Sequence, residues 1–455
     1  MATITQQPNE FGLAVGPNIW VIGTLGTANR FVLGVEIDGS LVATFKQTPN
    51  PAGVGIFDIN QILQSYLHSQ FVETTEKAAQ TPGAALRYRI RYGSEIGTTI
   101  AWNGYSSYKV VFNGYKAFNQ LNWPEFGQYI PSMETELCEI AGVQYTSCPI
   151  AEVKYLTSYP ETRDYVDITG IPNKPVLIDD WQTLSFANFH QQSWTTLDAM
   201  NKAPWAVQIE YYNAAGTNYD TRAYTLSTPN GMPIRVDCEA NTVAFTDDLL
   251  VGTIGTGPKN LQEASLWPVT QPAYYRVSLW TRSCGDVLDC DDIADIIDNS
   301  ACLWAIQSYT LAEDCSPFEP IQMSFMNEFG VRDYWTFTKR NTYSEAIQRN
   351  NYFRDAGTWS ASSYAIESYE RGTNTFNSTA TVKMLVSTDW VTNEQAEWFS
   401  VLFSTPDAKI FYNDQWVAVT LTSTEYQQKT VARDNKVFRY ELTLEFAQPK
   451  TIQRG

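Results

Sequence analysis

The chain has 455 residues, a length that predicts two or three domains rather than one. It carries 49 acidic against 31 basic residues, a net charge of −18, which argues against binding to nucleic acid through the phosphates. Its 14 Trp, 26 Tyr and 22 Phe favour pleated, half-buried strands, so we expect a mostly β protein.

The opening residues MATITQQPNEFGLAVG lack a basic stretch followed by an apolar one, so we expect no signal peptide. No run approaches 18 consecutive apolar residues, so no membrane insertion is predicted and folding in a cytoplasm is expected. Four of the seven cysteines are close in sequence: Cys284, Cys290, Cys302 and Cys315. Their spacing contains no CxxC pair, which favours buried thiols over a zinc site, and local disulfides are a third alternative.

Residues 1–130 are predicted to form an N-terminal β domain with one helix. We expect strands at Ile19–Gly23, Phe31–Ile37, Leu41–Lys46 and Val54–Phe57. Asp58 is the expected N-cap of a helix with apolar residues at Ile59, Ile62, Leu63 and Leu67. This helix is expected to cover one end of a sheet.

The segment Leu86–Tyr92, with the sequence LRYRIRY, alternates strictly and therefore predicts a half-exposed strand. Its exposed face would present Arg87, Arg89 and Arg91, which form the most basic patch of the chain. A solvated face is the plain interpretation. The functional one is a docking strip for an acidic neighbour, because Arg is enriched at interfaces.

Residues 131–316 are predicted to form a middle β-sandwich or jelly-roll domain. Residues from about 120 to 175 are rich in Pro, Gly and turn formers, which places the domain boundary around 130–150. Its expected strands are Ala206–Tyr212, Arg222–Leu226, Tyr274–Trp280 and Leu303–Leu311. Between the last two lies the acidic stretch Asp286–Asp298, which lacks the ligand spacing of a calcium-binding EF-hand loop. We interpret it as a solvated insertion.

Residues 317–455 are predicted to form a C-terminal α+β domain. Two strands joined at Asn327–Gly330 come first, and a polar segment, Asn341–Asp355, follows. Thr392 and Gln395 form a capping box that opens a helix with an apolar stripe. The remaining strands are predicted at Thr379–Val386, Lys409–Tyr412, Trp416–Thr422 and Val437–Phe446.

The sequence offers little for catalysis. The two histidines, His68 and His190, are far apart, and the usual nucleophile, zinc-protease and phosphate-loop motifs are absent. The run VGTIGTGPKN is interpreted as a flexible loop. Asp179–Asp180 and Asp247–Asp248 are the only adjacent acids considered for a glycosidase, but neighbours in a strand point to opposite faces. We therefore predict no enzyme, catalytic residue, metal or cofactor.

Five segments resemble structural proteins of tailed bacteriophages, especially those that infect Bacteroidetes and marine bacteria. They are ITQQPNEFGLAVGPNIWVI, TFKQTPNPAGVGIFDINQIL, MNEFGVRDYWTFTKR, RGTNTFNSTATVKMLVSTDWVTNEQAEWF and FRYELTLEFAQP. The C-terminal order of strand, helix and paired strands is also similar to the small β units of tail-tube and distal-tail proteins. These segments lie mainly at the two ends of the chain.

The resemblance implies a virion protein of the tail or baseplate, made in the host cytoplasm and assembled as a ring of protomers with other tail proteins. In such a ring, Thr379–Val386 and Val437–Phe446 would supply inter-subunit or barrel strands, which removes exposed edges. An acidic lumen would let DNA pass as a transient partner without sticking. The candidate interface residues are Arg87, Arg89, Arg91, Val437, Arg439, Glu441, Trp398 and Trp416.

The middle segment resembles nothing in that class, so a second function stays open. Aromatic side chains on a sandwich face can bind glycans through flat apolar contacts, which makes a glycan- or receptor-binding protein the main alternative. A glycosidase that uses two carboxylates is the less favoured one.

Overall fold

A computed structural model describes most of the chain. The described residues are 2–9, 11–24, 26, 29–71, 78–115, 135–140, 143–149, 155–157, 159, 174–187, 204–227, 242–244, 251–282, 301–312, 317–423, 437–448 and 450–454. Among the described residues the protein is mostly β, with several multi-stranded sheets and few helices. The predicted fold class is therefore confirmed.

The chain divides into two compact units. The first contains Met1–Glu313 and Met326–Asp333, and the second contains Asp314–Phe325 and Tyr334–Gly455. The predicted boundary after residue 130 falls outside the described residues, so the division into three domains stays a prediction.

Among the described residues, the N-terminal part of the first unit has two sheets and one helix. Its elements are β1 (Thr3–Gln6), β2 (Phe11–Val15), β3 (Ile19–Gly23), β4 (Arg30–Ile37), β5 (Ser40–Gln47), β6 (Gly55–Asp58), α1 (Asn60–Tyr66), β7 (Ala78–Gln80), β8 (Ala85–Ile96), β9 (Thr99–Tyr105) and β10 (Lys109–Tyr115). One sheet has the order β1-β3-β6, and the other has the order β2-β10-β8-β4-β5 with β9 paired to β8.

One core joins these two sheets to α1. It contains Trp20 of β3, Phe31 of β4 and Tyr88 of β8, all fully buried, together with Leu63 of the helix. The side chain of Gln64 donates a hydrogen bond to the carbonyl of Ala14 in β2, at 2.9 Å. These contacts place α1 against the sheet core.

The predicted helix start is wrong by one residue. The N-cap is Ile59 rather than Asp58, and the helix has no side-chain cap. The carboxylate of Asp58 instead accepts the backbone N–H of Asn60 at 3.1 Å and that of Asn18 at 3.2 Å. Asp58 therefore ties the helix entry to the chain before β3.

The middle part of the first unit forms a sandwich of two sheets and a separate hairpin. Its elements are β11 (Thr135–Ile140), β12 (Val143–Pro149), β13 (Lys174–Val176), β14 (Thr183–Ala187), β15 (Pro204–Tyr212), β16 (Asn218–Ser227), β17 (Thr242–Ala244), β18 (Val251–Gly255), α2 (Pro258–Glu263), β19 (Tyr274–Arg282) and β20 (Ala301–Leu311). The larger sheet has the order β13-β20-β19-β15-β16-β17, and the smaller has the order β14-β18-β7. Because β7 comes from residues 78–80, the N-terminal segment contributes a strand to the middle sandwich.

Buried tyrosines fill the core between these sheets. The rings of Tyr275 and Tyr309 stack with centroids 5.0 Å apart. Their hydroxyls lie 2.9 Å from the carbonyl of Thr256 and 2.8 Å from its side-chain oxygen, and Tyr211 donates to the carbonyl of Leu266 at 2.8 Å. Each hydroxyl thus keeps a partner, as buried polar groups require.

The glycine-rich run VGTIGTGPKN is not the flexible loop that was predicted. It forms all of β18 and the start of α2, and Gly257 is the helix N-cap. A Cβ atom at Gly257 would clash with the backbone at Asp180 and Gln182. The absence of a side chain at Gly257 therefore allows these two chain segments to lie close together.

Within its described residues, the second unit contains one large sheet, two small two-stranded sheets and a helix. Its elements are β21 (Ile321–Met326), β22 (Arg332–Phe337), β23 (Thr342–Phe353), β24 (Thr358–Trp359), β25 (Tyr364–Ala365), β26 (Thr373–Ser387), β27 (Val391–Thr392), α3 (Asn393–Ser404), β28 (Ala408–Tyr412), β29 (Gln415–Leu421), β30 (Val437–Phe438), β31 (Glu441–Phe446) and β32 (Lys450–Arg454). The large sheet has the order β22-β21-β28-β29-β31-β26-β23, and β32 also pairs with β26.

The predicted capping box of α3 is confirmed. The side chain of Thr392 accepts the N–H of Gln395 at 3.3 Å, and the side chain of Gln395 accepts the N–H of Thr392 at 3.0 Å. The apolar stripe of the helix places Trp398 and Phe399 in the core, where Phe399 meets Trp335 at 5.1 Å between ring centroids. Helix α3 therefore covers one face of the sheet.

The predicted long strand Val437–Phe446 is interrupted. β30 ends at Phe438 and pairs with β27, whereas β31 begins at Glu441 and pairs with β26 and β29. Between them the buried ring of Tyr440 packs on Phe399 and Phe403 of the helix, at 5.6 and 5.4 Å. This inward turn of Tyr440 separates the two strands.

Candidate interaction surfaces

β8 divides its side chains between the two faces of its sheet, as its alternation predicts. Leu86, Tyr88 and Ile90 are buried, and the three arginines between and beyond them are half-buried on the opposite face. The expected half-exposed strand is thus present, with all three guanidinium groups on one surface.

Each of these guanidinium groups lies over an aromatic ring. The distances from the guanidinium carbon to the ring centre are 4.3 Å for Arg87 over Tyr108, 4.1 Å for Arg89 over Tyr105 and 4.6 Å for Arg91 over Trp102. We call this set of six residues the Arg–aromatic ladder. Cation–π contacts at partly exposed sites are worth about 0.5–1 kcal/mol each, so the ladder also orders the surface.

The middle arginine of the ladder has a structural role. The Nη2 atom of Arg89 lies 2.9 Å from Oε2 of Glu36 in the neighbouring strand β4, and its Nε donates to the same oxygen at 2.9 Å. Glu36 is only 5% exposed. The hydrogen bond to this carboxylate raises the pKa of Arg89 above its ordinary value. Arg89 therefore compensates a buried charge.

Arg87 and Arg91 differ from Arg89 in this respect. Among the described residues, neither forms an ion pair with a carboxylate. Their guanidinium groups lie over the rings of Tyr108 and Trp102. The docking strip for an acidic neighbour that the sequence predicts stays a prediction, and Arg87 and Arg91 are the two arginines that could form it.

The C-terminal interface candidates occupy different environments. Trp398 is 2% exposed and packs against Phe325 at 5.3 Å, so it belongs to the core of the second unit and is not available at its surface. Trp416 is half-buried against Tyr334, at 5.8 Å. Arg439 and Glu441 are exposed, and the side chain of Val437 lies outside the described residues.

Most of the segments expected to form contacts between subunits lie in interior strands of the large sheet, and Val437–Phe438 is the exception because it forms β30. β31 lies between β29 and β26, and Thr379–Val386 of β26 is paired with β23 on one side and with β31 and β32 on the other. Their backbone groups are therefore committed within the chain. The expectation that Val437–Phe446 and Thr379–Val386 supply inter-subunit or barrel strands stays a prediction, and any such contact would have to use something other than an open edge of β31 or of Thr379–Val386.

A different element is exposed instead. β23 and β26 pair in antiparallel register from Thr342 opposite Leu385 to Phe353 opposite Thr373. On the N-terminal side of Asn377, no second strand among the described residues pairs with β26. The two strands therefore continue as a two-stranded ribbon to the small hairpin β24–β25. We call residues 342–376 the β-arm.

The β-arm concentrates exposed apolar surface. It holds nine of the nineteen exposed large apolar side chains of the described residues: Tyr343, Ile347, Tyr352, Phe353, Trp359, Tyr364, Ile366, Tyr369 and Phe376. Three of these, Phe353, Trp359 and Tyr369, are 75–79% exposed. All twelve residues of β23 are exposed. Concentrated exposed apolar surface is typical of an interaction site.

The tip of the β-arm is nevertheless organised. The rings of Trp359 and Tyr364 lie 4.5 Å apart between centroids, and the hydroxyl of Tyr364 donates to the carbonyl of Ala356. Ser360 and Ser363 share a hydrogen bond between their side chains at 2.7 Å. The exposed rings are thus held in a fixed arrangement by local contacts.

Sequence reasoning missed the β-arm because it treated Asn341–Asp355 as a polar segment. The sequence of this segment does contain a strand signal, because Tyr343, Ile347 and the charged residues between and after them alternate on one face. The two adjacent asparagines that follow weaken this signal. The length of the pairing with β26 could not be deduced, because it depends on contacts between residues up to 43 apart in sequence.

Only some of the residues considered for chemistry lie in the described part of the chain. His68 is exposed, and Asp180 is buried with its carboxylate accepting the N–H of Leu177 at 2.8 Å. His190, Asp247–Asp248, Asp286–Asp298 and three of the clustered cysteines lie outside the described residues, as does the side chain of Cys302. Within the described part of the chain, no group of three or more His, Cys, Asp or Glu is placed to hold a metal ion.

A buried charge cluster in the first unit was also missed. Lys174, Asp180 and Asp333 are each less than 5% exposed, and Nζ of Lys174 lies 5.2 Å from the centre of the Tyr159 ring. Burial lowers the pKa of Lys174 to about 8, and the two carboxylates oppose this shift. Because all three side chains are buried, we expect this cluster to affect the stability of the fold.

Comparisons with known proteins do not place the chain in a family. No protein-family model and no curated protein matches it. Among solved structures, a tetra-tandem repeat from the extending region of a large adhesion protein covers 85% of this chain and 69% of its own, at 8% identity and a TM-score of 0.20. A TM-score this low carries no argument about fold or function. None of the described helices has the length and apolar character needed to cross a membrane.

We predict that Arg89→Leu destabilises the first unit by about 2–4 kcal/mol, because Glu36 is left buried without its ion-pair partner. Arg87→Leu is the matched control and should cost about 1 kcal/mol or less, the worth of one cation–π contact. Chemical denaturation measures both. The double change Glu36→Leu/Arg89→Leu should recover most of the loss, and equal effects of the two single changes would contradict this role for Arg89.

We predict that the free energy of unfolding rises with pH above pH 8 through Lys174. Its folded pKa of about 8 lies below the 10.5 of an ordinary lysine, so the unfolded chain binds more protons in this range. The rise should be about 2 kcal/mol between pH 8 and 9.5. Burial raises the pKa of Tyr275 and Tyr309, so their opposing effect appears only above pH 10.

Denaturation of the wild type and of Lys174→Met across this pH range tests the assignment. The variant should lose the rise, since the titrating group is gone. The same slope in both proteins would show that Lys174 is not its source.

Proposed function

We propose that the protein is a structural component of a phage tail or baseplate, which acts by assembling with copies of itself and with neighbouring tail proteins. The observation that carries the proposal is the β-arm, a two-stranded ribbon with an exposed strand and nine exposed large apolar side chains. The resemblance of the terminal segments to tailed-phage structural proteins gives the biological setting.

The physical argument concerns the stability of the ribbon. A two-stranded hairpin is marginal in water unless it packs against something. The distal part of the β-arm exposes both its strand edge and rings such as Phe353 and Phe376. A partner surface would bury this apolar area and satisfy the edge, which is how assembling β proteins manage open sheets.

The electrostatics fit the same proposal. A net charge of −18 keeps separate copies soluble and would repel DNA from a lumen. Arg87 and Arg91 on the ladder then offer positive charge to an acidic neighbour in the tail. In this proposal the protein resides in the virion, has no catalytic centre and meets DNA only in passing.

The proposal predicts that Phe353→Ser/Trp359→Ser/Tyr369→Ser abolishes assemblies larger than a pair of copies, because the apolar contact is lost. The matched control is Ile56→Ser/Ile96→Ser/Val269→Ser, which removes three exposed apolar side chains outside the β-arm. Light scattering coupled to size exclusion, with electron microscopy of the fractions, measures both. Equal assembly of the two variants, or absence of the protein from purified phage particles, contradicts the proposal.

Glycan binding is the second candidate, and the ordered pair Trp359 and Tyr364 favours it. Exposed aromatic rings held in a fixed arrangement can stack on the apolar faces of sugars. A glycan array probed with the wild type and with Trp359→Ala/Tyr364→Ala tests this candidate. Binding that disappears in the variant, in a protein that stays monomeric, would favour it over assembly.

A further inference from the structure

The outer edge of β23 is the starting point. Among the described residues β23 pairs only with β26, so its other edge has no strand beside it. The pairing with β26 is regular from Thr342 to Asn350, and the register shifts only between Asn350 and Asn351. The edge therefore offers a regular, fully exposed stretch to an added strand.

The charge pattern of this stretch is self-complementary. Glu345, Ile347 and Arg349 alternate along the strand, so they point to the same face of the β-arm. In an antiparallel pair, directly opposite residues also share a face. If two copies of β23 pair with Ile347 opposite Ile347, Glu345 of each copy lies opposite Arg349 of the other.

The register centred on Ile347 differs from the two adjacent registers in the side chains that it places opposite each other. A twofold axis normal to the sheet requires a residue at the centre, so the next registers are centred on Ala346 or Gln348. The first places Glu345 opposite Ile347 and Tyr343 opposite Arg349. The second places Arg349 opposite Ile347 and Glu345 opposite Asn351. Both lose the two ion pairs and put a charge against an isoleucine.

The net charge of the β-arm also permits the approach of a second copy. Residues 342–376 contain three arginines and four acidic residues, a net charge of −1 in a chain of −18. Like-charge repulsion between two copies is therefore weak along this segment. A partner of strong charge of either sign would gain little here, whereas an identical strand gains two opposite-charge pairs.

We infer that two copies of the chain pair through β23, antiparallel and centred on Ile347, so that one sheet continues across a twofold axis. This inference rests on the proposed assembly function and names one of its contacts. A twofold contact joins copies in pairs and does not by itself close a ring. The assembly then contains an even number of chains, and any ring needs a second contact elsewhere.

Reversing the charge of Glu345 or of Arg349 tests whether two copies pair in this register. Glu345→Arg places arginines opposite each other twice, and Arg349→Glu does the same with glutamates, so each variant alone should pair at least roughly tenfold more weakly than the wild type. Mixed together, the two variants oppose Arg to Glu at both positions and should pair as the wild type does. Sedimentation velocity over a range of protein concentrations measures pairing in each case.

Glu367→Arg and Arg371→Glu are the matched controls, because both side chains are exposed on the β-arm but lie outside β23. They should leave pairing unchanged. Circular dichroism and thermal unfolding verify that every variant remains folded.

The outcomes separate the two proposals. A wild type that is monomeric at all concentrations overturns both the assembly function and the β23 pairing. A wild type that assembles while the single β23 variants assemble equally well, or while their mixture fails to pair, overturns only the pairing through β23. Loss in each single variant with recovery in the mixture supports it.

Discussion

Backbone hydrogen bonding at sheet edges is the constraint on which this structure depends. Every strand that ends a sheet leaves N–H and C=O groups without a strand partner, and natural β proteins cover, charge or pair such edges. In the second unit β31 and β26 are interior strands, and the side chain of Tyr440 turns inward onto α3 between β30 and β31. β23 remains at the edge, and the exposed apolar surface lies on the same ribbon.

The two units use aromatic side chains in different ways. In the first unit the stacked rings of Tyr275 and Tyr309 lie in the core with hydrogen-bonded hydroxyls, whereas Tyr105 and Trp102 lie on the surface beneath arginines. In the second unit Trp398 fills the core and Trp359 lies at the tip of the β-arm. The aromatic richness of the sequence therefore serves both folding and surface recognition, and composition alone does not distinguish the two.

Local patterns in the sequence predicted local structure well. The alternation of Leu86–Tyr92 located β8 and assigned its arginines to the outer face, and the capping box at Thr392 located the start of α3. The predictions failed where contacts between residues far apart in the sequence determine the structure. The contribution of β7 to the middle sandwich, the burial of Trp398 and the pairing of β23 with β26 depend on residues far away in sequence, and periodicity cannot reveal them.

Amide hydrogen exchange tests the central claim most directly, namely that the protein acts by assembling through the β-arm. Exchange would be followed at peptides that cover residues 342–353, first in dilute protein and then at concentrations where larger species form. We expect the amides of β23 to become protected as assembly proceeds, while those of interior β31 are protected throughout. Unchanged, rapid exchange in β23 within a fully assembled sample would contradict the account.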